Sequence, residues 1–147
     1  MASMDAITLY EIIALRFQVF IIEQACLYEE IDYKDIKATH VYGKDDTGKI
    51  IAYLRILDAG VSFEEVSLGR VVVHPESRKN GIGNELMQVG LKAVRDIYGE
   101  VPIRISAQAY LEGFYYALGF VAQSEIYLED DIPHIEMLLN PVNKEIK

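Results

Sequence analysis

The stretch that most restricts the fold is residues 71–86, VVVHPESRKNGIGNEL, where one kind of secondary structure changes abruptly into another. A run of β-branched residues predicts a strand that stops at Pro75, and a helical pattern follows the two glycines. Arg78 and Lys79 stand directly before those glycines, in a chain whose net charge is −9. The stretch predicts a strand-to-helix turn, and its two cations raise the question of whether the turn also binds an anion.

Three segments have the spacing of apolar residues that is typical of helices. The first lies near the start of the chain, where Asp5 or Thr8 can cap it. The second begins at Ile82 and ends before Gly99, since glycine commonly follows the last helical turn. The third is short and is predicted to stop at Gly119.

Runs rich in β-forming residues separate these helices. Two of them flank residues 45–48, DDTG, and predict a hairpin. Four more predict strands: SLGRVVV, VPIRISA, FVAQSEIYL and HIEMLL. The resulting order of helix, strands, helix, strand, helix and strands favours a layered mixed α/β fold. We predict one domain over residues 1–147, in which residues 1–4 are either disordered or derived from cloning.

Composition excludes several classes of protein. With 14 Lys and Arg residues against 23 Asp and Glu residues, the chain lacks the basic balance that nucleic-acid binding requires, although it suits a cationic substrate. No apolar stretch is long enough to span a bilayer, and no signal peptide is recognisable, so we predict no membrane partner. The one cysteine, Cys26, is interpreted as an inert, partly buried thiol, and its solitude indicates a reducing, cytoplasmic compartment.

The turn after Pro75 has the chemistry of an anion site. The start of a helix presents free backbone N–H groups and a partial positive charge, and glycine lets a bulky anion come close. Together with two cations, these features fit a phosphate or a pyrophosphate. The nucleotide motifs of ATPases and of dinucleotide-binding proteins do not match, because Asn84 follows Gly83 and position 86 is Leu. From these residues alone, a plain turn and an anion site both remain open.

Two motifs resolve that choice. Val-x-Pro-x-x-Arg-x-x-Gly-x-Gly, residues 73–83, resembles the acetyl-CoA signature of the GCN5-related N-acetyltransferases (GNAT superfamily), and FYYALGF, residues 114–120, is similar to their Phe-Tyr-x-x-x-Gly-Phe. Between Arg16 and Leu139 the chain resembles the ElaA branch of that superfamily in RFQVFIIEQACLYEEID, YLRIL, GRVVV, AQAYLEGFY and IPHIEML. It departs from the pattern at residues 26–28, where the branch usually has Cys-Pro-Tyr. Almost nothing precedes Thr8, so the superfamily's first edge strand is left in question.

The resemblance implies a mixed sheet, flanked by helices, in which the fourth and fifth strands splay apart. Backbone groups of Val71 and Val73 would be unpaired in the gap and would pair with the pantetheine arm of acetyl-CoA. The pyrophosphate would lie on the turn, whose residues are Arg78, Lys79, Asn80, Gly81, Ile82, Gly83 and Asn84. We predict acetyl-CoA as the acetyl donor and no metal.

The resemblance also implies a catalytic acid. Tyr115 holds the place of the superfamily's tyrosine, four residues before Gly119, and a hydroxyl there can protonate the departing thiolate. Tyr116 is predicted to face another side of the helix. Gln108, at the start of the same helix, either bonds the cofactor, orients the substrate or caps the helix.

The base that takes the proton of the amine is less defined. His134 lies at the mouth of a late strand and matches the branch pattern, and histidine suits that role, but a structural hydrogen bond is the alternative. Arg70, within an apolar strand, is predicted to form a structural ion pair rather than to bind substrate. Glu30 and Asp32 either bind a cationic substrate or are solvated loop residues.

Two functions follow. The first is an enzyme that moves acetyl from acetyl-CoA to a primary amine of a small molecule or peptide, by direct attack in a ternary complex. The alternative is a non-catalytic acyl-CoA-binding or protein-interaction module of the same fold. The apolar segment IEMLL is compatible with a homodimer formed through late strands, which one sequence does not decide.

Overall fold

The fold is described from a computed structural model for residues 4–25 and 29–141. Cys26 and the departure at residues 26–28 therefore lie outside the described residues. None of the described helices is long and apolar enough to cross a membrane. The α-helices are α1 (Ala6–Arg16), α2 (Ile82–Tyr98) and α3 (Glu112–Ala117), and the strands are β1 (Thr39–Lys44), β2 (Ile50–Leu57), β3 (Val66–Val73), β4 (Ile103–Gln108), β5 (Val121–Ala122), β6 (Tyr127–Glu129) and β7 (Ile132–Leu139).

All seven strands belong to one sheet, in the order β1-β2-β3-β4-β7-β5, and β6 also pairs with β7. β3 and β4 run parallel, whereas the other neighbouring strands are antiparallel. Parallel neighbours need a long crossover, and α2 supplies it. The predicted mixed α/β sheet flanked by helices is thus confirmed.

Two apolar clusters cover the two faces of the sheet. The larger packs α2 and α3 against one face and includes Leu54 and Met87; the smaller packs α1 against the other and includes Ile12 and Tyr53. A Cβ added to Gly90 would stand 2.8 Å from Cδ2 of Leu54, so α2 lies very close to the sheet. This close packing fixes the start of α2, where the glycine turn lies.

Local predictions for the helix and hairpin ends are confirmed. The Asp5 side chain accepts a 2.7 Å hydrogen bond from the N–H of Thr8 and caps α1. The hairpin turns at residues 45–48, and Gly48 adopts φ +89° there. Gly99, with φ +82°, directly follows α2.

Three features differ from the predictions or extend them. The single strand predicted for FVAQSEIYL is wrong, because the segment forms β5 and β6, two short strands that both pair with β7. After α1 the chain continues as a π-helix, Phe17–Glu23, which the sequence pattern did not predict. Among the described residues no strand precedes α1, so the superfamily's edge strand is absent from this part of the chain.

The apolar segment IEMLL has a role within the protein's own core. Its strand, β7, is paired on both edges, with β4 on one and with β5 and β6 on the other. Ile135 and Met137 are buried in the larger apolar cluster. The apolar character of this segment is therefore explained without a partner chain.

Candidate functional site

A cleft opens in the sheet where β3 and β4 part. Within the described chain the two strands pair only at Val66 with Ile103 and at Ser67 with Arg104, although β3 continues to Val73. Beyond these pairs lies a cleft of about 940 Å³. The splay predicted for these two strands is therefore present.

A β-bulge explains why β3 leaves its neighbour. Arg70 and Val71 together face Leu54 of β2, so β3 has one residue more than its partner at this point. Arg70 adopts φ +52°, a left-handed conformation that is uncommon for a residue with a side chain. A bulge bends its strand and increases its twist. The bend turns the rest of β3 away from β4, and Val71 lines the cleft directly after it.

The backbone of Val73 faces this cleft. The N–H of His74 donates to the carbonyl of Ile51 at 2.7 Å, and Val73 is aligned with Ala52 of β2. Because successive residues of an antiparallel strand point their polar groups to opposite edges, those of Val73 point away from β2. Its carbonyl nevertheless accepts a 3.0 Å hydrogen bond from Nε of Arg78, so the expectation that this carbonyl is unpaired is wrong.

The turn before α2 has the backbone shape of an anion site. Lys79 and Gly81 adopt φ +71° and +77°, on either side of Asn80, and alternating handedness of this kind turns neighbouring N–H groups toward one concave point. The turn leads into the N-terminus of α2, where Ile82 begins the helix and the helix dipole adds positive charge. Lys79 and Gly81 line the cleft, together with Asn84.

Gly83 is not required by the protein's own packing. A Cβ at this position would meet Phe114 at 3.8 Å and Val73 at 3.9 Å, which are ordinary contacts. Gly83 nevertheless lines the cleft. Its missing side chain leaves a cradle between those two residues that a Cβ would partly fill, as close approach of a ligand to the backbone would require.

Arg78 is not a mobile cation. Its Nη1 and Nη2 donate to the two carboxylate oxygens of Glu23 at 2.7 and 2.8 Å, while Nε is bonded to Val73. The hydrogen bond and charge of Glu23 outweigh the opposing effect of burial and raise the pKa of the arginine. The guanidinium therefore ties the end of the π-helix to the turn, and an anion that takes Arg78 has to displace Glu23.

Tyr115 lies on α3 with its ring buried and its side chain on the cleft. It is 5% exposed, whereas Tyr116 is 67% exposed, so the prediction that the two face different sides of the helix is confirmed. Phe114 and Phe120 contact the Tyr115 ring edge-on. Burial raises the pKa of Tyr115, so its hydroxyl stays protonated. The cleft therefore holds a neutral phenol that can donate a proton.

Gln108 spans the mouth of the cleft rather than capping a helix. It precedes a short 3₁₀ turn, Ala109–Leu111, but makes no side-chain cap there, so the capping alternative is wrong. Its amide instead exchanges two hydrogen bonds with Gln24, at 3.2 and 3.3 Å. Gln24 directly follows Glu23. These two adjacent residues therefore contact both sides of the cleft, because Glu23 bonds Arg78 after β3 and Gln24 bonds Gln108 of β4.

His134 lies on β7 directly opposite Gln108 of β4. The ring is buried, lines the cleft and stacks on Tyr127. Its Nδ1 is 2.7 Å from the carbonyl oxygen of Ile132. The structural hydrogen bond that the sequence left open is therefore made, while the other ring nitrogen is left for a separate role.

A closed ring of six charged side chains lies beside the cleft. Three arginines alternate with three carboxylates, and each member contacts two others at distances of 2.5 to 3.4 Å. The ring runs Arg16, Glu30, Arg70, Asp32, Arg55, Asp35 and back to Arg16. The ion pair predicted for Arg70 is confirmed, and the reading of Glu30 as a solvated residue is wrong because it is 4% exposed.

The sequence interpretation missed Glu23 and Gln24. Both lie in a segment that it quoted, three and four residues after Phe20, which is buried. At helical spacing these positions share a side with Phe20. That spacing is the signal that could have placed them next to the core and the cleft.

Most of the predicted cofactor-binding residues and both predicted catalytic residues, Tyr115 and His134, meet at one cleft. Its lining includes Val71, Val73, Arg78, Lys79, Gly81, Gly83, Asn84, Gln108, Tyr115 and His134. Asn80 and Ile82 belong to the same turn without lining the cleft.

Comparison with known proteins agrees with this geometry. The family model for the acetyltransferase (GNAT) domain matches residues 7–141. The chain belongs to the GNAT acetyltransferase family. The general activity of that family is acyl transfer from an acyl-CoA, and the match runs from the first turn of α1 to just past the end of β7.

Similar proteins place the chain in the ElaA branch. It is 40% identical over 138 residues to a UPF0039 protein of Schizosaccharomyces pombe, covering 93% of this chain and 91% of the relative. It is 39% identical over 132 residues to the protein ElaA of Escherichia coli, covering 88% and 85%. The predicted ElaA-like membership is confirmed.

Solved structures support the same fold. The crystal structure of an acyl-CoA N-acyltransferase from Pseudomonas aeruginosa has a TM-score of 0.87 and 40% identity, with 94% of each chain covered. The crystal structure of Escherichia coli ElaA has a TM-score of 0.88 and 34% identity, covering 95% of this chain and 94% of that one.

Proposed function

We propose that the protein transfers an acetyl group from acetyl-CoA to a primary amine of a small molecule or peptide, by direct attack in a ternary complex. The observation that carries this proposal is the cleft between β3 and β4, which joins the glycine turn to the Tyr115 hydroxyl. One end suits a phosphate, and the other holds a buried proton donor. A binding module that only recognises acyl-CoA has no need of the second end.

The residues of the cleft fit acetyl-CoA. The cradle at Gly83 admits close approach to the backbone, and the inward-facing N–H of Val73 suits a carbonyl of the pantetheine arm. Val71 and Gln108 line the same path. The anionic end would be held by the turn, namely Arg78, Lys79, Asn80, Gly81, Ile82, Gly83 and Asn84.

Acetyl-CoA supplies an activated carbonyl and a thiolate leaving group. Tyr115 would donate its proton to that sulfur, and its burial keeps the hydroxyl protonated until then. His134, on the opposite wall, would receive a proton from the amine. No metal is part of this proposal. The single cysteine supports a reducing, cytoplasmic compartment.

Thermal unfolding with acetyl-CoA, free CoA and buffer tests the donor. Binding to the native state at 100 times the Kd stabilises it by about 2.7 kcal/mol, and Gly81→Asp is expected to abolish this shift. Gly48→Asp is the matched control, because Gly48 also has positive φ and open space around its Cβ but lies on the distant hairpin. If Gly81→Asp folds and keeps the shift, the phosphate does not lie on this turn.

Turnover tests the enzyme. CoA release is measured with a panel of primary amines, and Tyr115→Phe is expected to keep acetyl-CoA binding while single-turnover transfer falls by about 10²–10⁴-fold. A folded Tyr115→Phe protein that transfers as fast as the wild type excludes this residue as the acid. Acetyl-CoA binding without transfer to any amine would favour the non-catalytic alternative.

A further inference from the structure

The hairpin of β6 and β7 brings a second polar group of side chains to the cleft, apart from Tyr115. Ser106 of β4, Glu129 of β6 and His134 of β7 all line it. Ser106 and Gln108 lie two positions apart on β4, and Gln108 is directly opposite His134, so these side chains share one face of the sheet. That face is opposite the one covered by α2 and α3, which pack on Ile105 and Ala107.

The hydrogen bonds of His134 fix the position of its proton. A carbonyl oxygen can only accept, so the 2.7 Å contact with Ile132 requires the hydrogen on Nδ1. The neutral ring then has a bare Nε2. Stacking on Tyr127, with ring centroids 6.3 Å apart, holds the ring in this orientation. Nε2 is 3.8 Å from Oε2 of Glu129.

The orientation of Glu129 is also fixed. Oε1 of Glu129 is 3.1 Å from Oγ of Ser106, and that Oγ is 2.5 Å from the hydroxyl of Tyr127. A carboxylate only accepts, so Ser106 donates its one hydrogen to Glu129, and Tyr127 must donate to Ser106. The chain of donors ends at Oε1, and Oε2 is the oxygen turned toward His134.

Two acceptors therefore face each other at the cleft, the carboxylate oxygen Oε2 of Glu129 and the bare Nε2 of His134. Neither can donate to the other, so a cationic N–H donor between them would satisfy both. Other charges near this wall do not supply one: Asp130 is acidic, and Arg104 is bonded to Glu65 and Glu136.

We propose that Glu129 and His134 form the binding site for the ammonium group of the acceptor, with Glu129 as the binding carboxylate and His134 as the base. The proposal rests on the proposed function for its chemistry. A primary ammonium offers three N–H donors, enough to bond both residues at once. Glu129 holds the charge, and Nε2 takes one proton, which leaves a lone pair on the amine for attack.

The proton balance then closes. The ammonium nitrogen loses two protons when it becomes an amide nitrogen, and the carbon–sulfur bond breaks as the carbon–nitrogen bond forms. One proton leaves through His134 to solvent. The second leaves the attacking nitrogen and ends, through Tyr115, on the sulfur of CoA.

The test observes His134 directly, with propylammonium chloride as the probe. Ring nitrogens of the ¹⁵N-labelled protein are recorded by long-range ¹H–¹⁵N correlation, with and without saturating CoA. We expect the neutral ring to carry its proton on Nδ1, and propylammonium to shift Nε2. Glu129→Gln should weaken that response at least tenfold in probe concentration, whereas Glu125→Gln, which removes the same charge from an exposed residue outside the cleft, should not.

A neutral ring protonated on Nε2, or an unchanged Nε2 signal in the presence of the probe, overturns the proposal. So does an equal response in the wild type and Glu129→Gln. His134 signals are assigned by their loss in His134→Gln or, if that variant does not fold, by elimination with His40→Gln and His74→Gln. Failure of CoA to bind, with the propylammonium response intact, would refute the proposed function and leave the ammonium site standing.

Discussion

The same chemical pair, an arginine with a carboxylate, occurs in two very different regions of this molecule. In the closed ring the side chains of Arg16 and Glu30 are 1% and 3% exposed, and every member has two partners. At the mouth of the cleft the side chains of Arg78 and Glu23, which form an ion pair, are 38% and 40% exposed. The first pair is enclosed by protein, whereas the second can exchange its partners with solvent.

This difference indicates two roles. A buried charge cannot lose its partner without a large penalty, so the ring fixes the segment after the first helices onto β2 and β3. A half-exposed pair contributes little to stability, because water and salt compete with it. The Arg78 pair can therefore open at the site where an anion is proposed to bind, while the ring holds β2, β3 and the segment after the first helices together.

Removing one carboxylate from the ring should have the largest effect. Glu30→Gln takes the shared counter-charge from the buried Arg16 and the partly buried Arg70, and we expect a loss of about 3–5 kcal/mol in the free energy of unfolding. Urea unfolding followed by circular dichroism measures it. A loss of less than about 1 kcal/mol would mean that the ring is no different from an exposed pair.

Lowering the pH should have the second largest effect, because it protonates carboxylates of the ring. Burial opposes ionisation of Asp32 and Asp35, but hydrogen bonds and charge from their arginines outweigh it and lower the pKa of both carboxyls. Their contribution is therefore complete above the unfolded pKa of about 4 and is lost as pH falls through the lower, folded value. Unfolding free energy measured from pH 7 to pH 3 should fall below about pH 4, and Asp32→Asn should flatten that fall. A wild-type profile that is as flat as the variant's contradicts the expectation.

Breaking the bridge at the cleft should affect binding more than stability. Glu23→Gln is expected to change the unfolding free energy by less than about 1 kcal/mol. Because Arg78 no longer has to leave a carboxylate, CoA should bind about two- to fivefold more tightly by calorimetry. Glu11→Gln, which removes the same charge from α1 outside the cleft, should leave the Kd unchanged. Weaker binding in Glu23→Gln would show that Glu23 supports the arginine instead of competing with the anion.

A third ion pair is more exposed than the other two, and its loss should have the smallest effect. Lys92 and Asp96 lie one turn apart on α2, 69% and 62% exposed. Lys92→Gln should cost no more than about 0.5 kcal/mol, and less in 1 M salt. A larger cost in urea unfolding would break the relation between exposure and contribution on which the comparison depends.

Much of the fold could be predicted because its signals are local. The cap at Asp5, the turn at residues 45–48 and the stop at Gly99 each depend on a few neighbouring residues, and all three were confirmed. The glycine turn was equally readable, since its cations and glycines are adjacent in sequence. The resemblance to a known family then supplied the splay between β3 and β4, which no local pattern indicates.

The features that could not be predicted depend on distant partners. Glu30 and Arg70 are each ordinary in their own segment, and the ring that joins them is formed only when four separate stretches of chain meet. The bulge at Arg70 arises within a run that favours regular β structure. Arg78 was assigned to phosphate because its nearest neighbours suggested it, while Glu23, its partner in the structure, lies 55 residues earlier.

The reciprocal amide pair of Gln24 and Gln108 has a consequence for how this protein can change during evolution. Each side chain donates one hydrogen bond and accepts one, across 84 residues of sequence. Shortening either one to Asn withdraws a donor and an acceptor together, so one substitution loses both bonds. Neither position is then free to drift alone, and we expect relatives that alter one of them to carry a compensating change at the other. Such paired changes in related sequences would indicate that the contact between these two positions across the cleft is maintained.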